Sequence, residues 1–390
     1  VRPMTWLKSN GLVLLAFLIQ TATLSAGGPA VVSVTEPAGI RRGNYPITVL
    51  IHSSTPLSAE NVAVSGDSSP TNIQVDKAPS DFGDSMYTVE FADTFKPNET
   101  RRYEIRYGNG ISRDLQPIRG HVLTETDEAY IITNKPYLTW QIPKNLDGLI
   151  YSMNFPPSEH IRTGGRGIYV TNTENQNIHI RGDGITSEII RRGPLAVHLR
   201  FKKTLSQSAQ AVVDLHFPVS RSWVEVQVRL RDPLNKYKSI ANELLLNLDP
   251  PDNKAPTIAD FGGGTTGYVT LSADQHAQLS ATGKEWSISR GNRSDDVAIF
   301  ASKESAAEGW AHIMDRERCL AMAVTDFGKA STDTIRFDGG GRVIASRMFA
   351  GEAKTKVLRT WYHFVFYPPQ ISAATGPQAM QQPLRVSIRQ

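Results

Sequence analysis

Four runs in the second half of the chain switch between apolar and polar side chains at every residue. Val197, Leu199 and Phe201 alternate with His198, Arg200 and Lys202, and Val213, Leu215 and Phe217 alternate with Asp214 and His216. Val224, Val226, Val228 and Leu230 alternate with Trp223, Glu225, Gln227, Arg229 and Arg231; Thr360, Tyr362, Phe364 and Phe366 alternate with Arg359, Trp361, His363 and Val365. A period of two belongs to a strand with one face in a core, whereas an amphipathic helix repeats every 3.6 residues. Shorter runs of the same kind, Ile47–Ile51 and Tyr87–Phe91, are set off by turn clusters at Ser65–Pro70 and Lys96–Glu99. Only 302–308 reads as helical, and nothing recurs at the fixed spacing of a propeller. The pattern predicts an all-β protein.

Turn chemistry divides the pattern. Residues 30–110 form a small N-terminal β-barrel or sandwich domain that closes on the Gly108-Asn109-Gly110 turn, 111–127 are a connector, and 128–390 form a large antiparallel β-sandwich. With 40% hydrophobic and 21% charged residues, the chain has enough apolar material for packed cores. The first 26 residues have the layout of a secretory signal: basic Arg2 and Lys8, an apolar run from Gly11 to Ile19, then small residues up to Ser25-Ala26. That run is too short to span a bilayer. The expectation is a secreted or periplasmic protein with no stable membrane insertion after cleavage. Of the net charge of +4, two charges sit in that segment, so the remainder is near balance, and no Lys/Arg block supports nucleic acid as a partner. The single cysteine, Cys319, excludes an internal disulfide and lies in an apolar stretch, as a buried inert thiol would.

The nine histidines are dispersed, with no HExxH and no cysteine pair, so no metal site is expected. Asp249–Asn253 reads as a proline-rich turn, Gly262-Gly263-Gly264 lacks the rest of a phosphate loop, and no GxSxG elbow is present. No cofactor is implied. Chemistry is concentrated instead on the polar faces of the long strands. An ordinary solvated face carries Thr, Lys, Glu and Ser; these faces carry His198, Arg200, His216, Trp223, Glu225, Arg229, Arg231, Trp361 and His363. Indole rings stack on the C–H faces of sugars, and guanidinium forks hold carboxylates. The competing reading is a face that is solvated or covered by another domain. Arg191-Arg192 and Arg221, at strand entries, admit the same two readings.

Val34–Arg42, Tyr45–Val49, Val89–Asp93 and Glu99–Tyr103 resemble the N-terminal β-barrel domain of exo-rhamnogalacturonan lyase-like proteins. Arg192–Val197 and the strand from Trp223 resemble their central sandwich, a supersandwich similar to galactose mutarotase. The resemblance is spread over most of the chain. Members of that family usually carry a helical toroid after the sandwich, and this chain ends soon after Pro383–Val386; if the toroid contributes to the active site, the resemblance implies a catalytically reduced relative. It implies an oligo- or polysaccharide partner and an all-β supersandwich fold. For lyase chemistry on an acidic, pectin-type glycan, Arg200, Arg221 or Arg229 would neutralise the uronate. His198 or His216 would take the proton, and Tyr362 or His363 would protonate the leaving oxygen, His363 being favoured because the alternation points Tyr362 inward. A mutarotase-type proton shuffle would use a histidine with Glu225. Trp223, Glu225, Arg229, Arg231 and Trp361 would hold substrate. Two alternatives stand beside this: a non-catalytic carbohydrate-binding protein, and an extracellular structural module in which the polar faces are buried against the first domain.

Overall fold

The computed structural model describes residues 29–79, 82–114, 118–134, 138–156, 158–219, 222–249, 256–262, 267–292, 295–365 and 375–389. The leader expected at 1–26, Arg221, Phe366, the Pro250–Asn253 part of the expected turn and Gly263-Gly264 all lie outside these residues. Among the described residues, strands form five antiparallel sheets of nine, eight, five, four and three strands. The all-β class and the large antiparallel sandwich are as the alternation predicts.

The nine-stranded sheet contains all four alternating runs. Its first five strands, in order, are Ile185–Arg192, Ala196–Thr204, Gln210–Pro218, Trp223–Arg231 and Thr355–Val365. Their apolar positions, among them Leu199, Leu215, Val226 and Tyr362, are fully buried. They face a core shared with the eight-stranded sheet, which contributes Ile240, Leu279, Ile335 and Val343, and with the five-stranded sheet, which contributes Trp140. Each such Val, Leu or Ile contributes about 1.5–3 kcal/mol by leaving water.

The small unit pairs Ala30–Thr35 with Thr100–Tyr107 in one sheet and Arg42–His52 with Met86–Phe95 in the other. Its core joins Val32, Ile47, Phe91 and Tyr103 to Trp223, Trp310 and Trp361 of the large sandwich. The two units therefore share one apolar seam, and that seam covers the outer face of the nine-stranded sheet.

Three features differ from expectation. The strand Arg385–Arg389 pairs with Ala30–Thr35, so the end of the chain returns to the small unit. The segment expected as connector contains a strand, Val122–Glu125, paired with Ala129–Asn134. Residues 302–308 are not helical: the strand Asp295–Ser302 runs into them, and Ser305 spends its carbonyl on the Trp286 indole N–H. Helix forms instead at Thr375–Gln381, ahead of the returning strand. Close packing on Trp310 requires glycine at 262, where a Cβ would come within 2.1 Å of the Trp310 ring.

Candidate functional site

Strand register turns the polar residues of the outer face into rows. Arg191 lies opposite His198, His198 opposite His216, His216 opposite Glu225, and Glu225 opposite Trp361. One row along, Arg200 faces Asp214. The face expected as an open groove is covered. His198, Arg200, His216, Trp223, Glu225 and Trp361 are all buried, Trp223 and Trp361 in one core with the small unit and with Met380 and Leu384 of the C-terminal stretch. Arg229 is half-buried, His363 is half-buried, and Arg231 is exposed at the strand end.

Buried charge persists only where it is paired, and here pairing is extensive. Asp214 is the hub. Its Oδ1 accepts from Arg200 Nε at 2.7 Å and meets His198 Nε2 at 2.9 Å, while its Oδ2 accepts from Arg229 at 3.1 Å. Burial alone would raise its pKa; His198 and Arg200 outweigh that and hold it well below the usual carboxylate range. His198 is pushed down by burial, against the pull of Asp214. His216 is pushed down further, by burial and then by the charges of Arg191, His198 and Arg359. Both imidazoles are therefore neutral at neutral pH.

A second buried group ties the units together. Arg191 donates to Glu90 of the small unit at 2.7 Å, so this arginine is not available to an acidic substrate. Burial pushes the Glu90 carboxyl up to about 7 against the pull of Arg191, and burial raises neighbouring Asp76 as well. Gln74 completes the junction: its carbonyl accepts from Leu195 N at 2.6 Å and Ala196 N at 2.9 Å, and its amide donates to Ala196 O at 3.0 Å.

One cavity interrupts the seam. It measures about 90 Å³, room for about six waters. From the outer face it is lined by His216, Trp223, Glu225, Arg359 and Trp361; Tyr45 and Thr48 come from the small unit, and Pro383 and Leu384 from the returning C-terminal stretch. Four residues expected in the site meet there: His216, Trp223, Glu225 and Trp361. His198, Arg200, Arg229, Arg231 and His363 do not line it. The two indoles are edge-to-face at 6.0 Å, with Tyr45 5.7 Å from Trp223. Arg359 donates to Glu225 and lies 5.2 Å over the Trp361 ring. The other carboxylate oxygen of Glu225 has no partner among the described residues. The wall opposite is held by Arg42, which bonds Glu36 and reaches Ala379 O at 2.7 Å, and by Tyr45, whose hydroxyl donates to the same carbonyl at 2.7 Å.

Sequence reasoning passed over Asp214, Arg359, Tyr45, Glu90 and Gln74. Asp214 and Arg359 were legible, since they occupy polar positions of the same alternating runs. Tyr45, Glu90 and Gln74 act only through the docking of the units, for which no local signal exists.

No family model and no curated protein matches the sequence. Among solved structures, the chain is similar to a protein of glycosyl hydrolase family 38 from Enterococcus faecalis, with a TM-score of 0.55, 7% identity, and coverage of 93% of this chain and 47% of that one. The chain thus spans about half the length of that protein. An alpha-mannosidase from Enterococcus faecalis V583 gives a TM-score of 0.46 at 8% identity, over 93% and 46% of the two chains. A galactose mutarotase-like protein from Clostridium acetobutylicum gives 0.38 at 8% identity, over 64% and 98%. At such identities a likeness speaks of fold alone, and of these three the first, at 0.55 over 93% of this chain, is the one that bears on it.

Proposed function

We propose that this chain is a carbohydrate-active protein whose cavity at the seam receives part of one sugar unit. The observation that carries the reading is the meeting of Trp223, Trp361, Glu225, His216 and Arg359 around one small cavity. Indole rings suit the C–H faces of a pyranose, and a carboxylate oxygen with no partner among the described residues suits its hydroxyls. A neutral imidazole opposite that carboxylate suits a proton shuffle at the anomeric centre. The finer form of the reading, lyase chemistry on a pectin-type acidic glycan, has less support. It needs a cation for the uronate, and Arg200 and Arg229 bond Asp214 while Arg359 bonds Glu225.

One observation favours a second reading, a non-catalytic module. The ionisable side chains of the outer face serve as paired contacts beneath a cover. From the layout of its first 26 residues, the protein is assigned to the secreted or periplasmic space; fractionation with N-terminal sequencing of the mature chain tests this.

The deciding experiment incubates the protein with free monosaccharides and with acidic polysaccharides. Anomer exchange is followed by NMR, and unsaturated uronates by ultraviolet absorbance. Faster anomer exchange, lost in Glu225→Gln, is expected. New absorbance lost in His216→Ala would put the lyase form first. Neither activity, and no saturable sugar binding, would leave the structural module.

A further inference from the structure

A second cleft lies at the end of the large sandwich, away from the seam. It is walled by Asp147, Gly148, Ile150 and Tyr151, by the 162–165 loop, and by Arg181. At about 290 Å³ it has room for about twenty waters, several times the seam cavity. The backbone around it is pinned. Tyr151 N donates to Gln141 O at 2.9 Å, Arg162 N to Leu245 O at 2.8 Å, and Gly182 N to Asn145 O at 2.8 Å. Its floor is close-packed: a Cβ at Gly165 would stand 3.1 Å from Leu245 N, so the loop rests directly on the strand Tyr237–Leu245. The cleft is therefore preformed, and a ligand would meet little ordering cost.

We infer that this cleft binds a small ring-bearing carboxylate. Three side chains define that chemistry. Tyr151, 48% exposed, offers an aromatic surface at the cleft wall. Arg162 uses one N–H of its fork on Gly340 O at 2.9 Å, which leaves the rest of the fork available to a ligand. Arg181 pairs with Asp147 at 2.9 Å, but both side chains are largely exposed, at 43% and 61%. An exposed pair of this kind holds weakly, so a ligand carboxylate displaces Asp147 from Arg181 at small cost. Two guanidinium groups against one carboxylate leave a net positive cleft. The planar fork accepts a carboxylate through two parallel bonds, which a spherical anion does not match. The tyrosine face receives the ring. This inference does not depend on the seam cavity.

The test is isothermal titration of the full chain with glucuronate and benzoate, with glucose and inorganic phosphate as controls. Expected are saturable binding of both carboxylates, a loss of at least about tenfold in Arg162→Ala, and partial recovery in Arg162→Lys, which restores charge but not the fork. Tyr151→Ala weakens binding, and Glu225→Gln at the seam leaves it unchanged. Equal affinity for glucose would overturn the role of the carboxylate, and equal affinity for phosphate, which the fork also holds through two bonds, would overturn the role of the ring. No saturable binding by either carboxylate would overturn the site. Arg162 is exposed and its side chain makes one bond, to Gly340 O, so its variants remain folded; thermal melting verifies this.

Discussion

Removing the Asp214 side chain is the sharpest test of the view that the outer-face network is a buried, paired structure. Asp214→Ala leaves Arg200, 4% exposed at its side chain, without the carboxylate that accepts from its Nε at 2.7 Å. It also removes one partner of buried His198 and of half-buried Arg229. Breaking a buried ion pair by deleting one partner costs about 3–5 kcal/mol, because the surviving charge stays out of water. For a chain of 390 residues that is a fall in Tm of about 4–6 °C. The matched control is Asp147→Ala, which breaks an exposed pair and costs below about 1 kcal/mol. Calorimetry and urea titration of both variants give the comparison. If the two variants melt within about 2 °C of each other, Asp214 does not hold buried charge, and the covered-face account fails.

The pH dependence has a definite sign. Burial pushes His121 and His160 down to about 4, and lowers His198 and His216, so each contributes stability that is complete above about 6.5 and is lost as pH falls below it. Glu90, raised to about 7, acts oppositely: its contribution is complete below the ordinary carboxylate value and is lost as pH rises toward 7. Four histidines outweigh Glu90 with Asp76, so Tm rises from pH 4.5 to 6.5 and rises more steeply in Glu90→Gln; a fall over that window would refute the assignment. Gln74→Ala strips three partners from the backbone of Leu195 and Ala196, costs about 2–3 kcal/mol, and speeds proteolysis between the units; unchanged proteolysis would mean that Gln74 does not secure the junction. Cys319 is buried, and burial followed by Asp260 and Asp315 raises its thiol, so iodoacetamide labels it in urea and not in the native protein; native labelling would contradict its burial.

Alternation was sufficient for the strands and insufficient for the site, for one physical reason. A period of two states which side chains share a face; it carries no information about what lies against that face. His198, Arg200, His216, Trp223 and Glu225 were placed together correctly, and the cover over them comes from residues more than a hundred positions away, such as Tyr45 and Glu90. Helix was expected at 302–308 on composition alone and formed at Thr375–Gln381, where packing against the strands Cys319–Val324, Trp310–Met314 and Thr355–Val365 supplies what a seven-residue helix lacks by itself.

More of the site was legible than the faces alone reveal. The hairpin between Ala196–Thr204 and Gln210–Pro218 turns about Gln207, and that centre by itself sets Arg200 against Asp214 and His198 against His216. An arginine facing an aspartate on one face is a pair before it is a ligand site. Read with register, the face contains its own counter-charges: Asp214 for Arg200 and Arg229, and Glu225 for Arg359. Such a face can be covered at tolerable cost, whereas a face of unpaired arginines and histidines cannot. Self-neutralisation is thus the sequence-level sign that separates a docking surface from an open groove. It also explains why the cavity that survives at the seam is walled by indoles and one carboxylate rather than by spare cations.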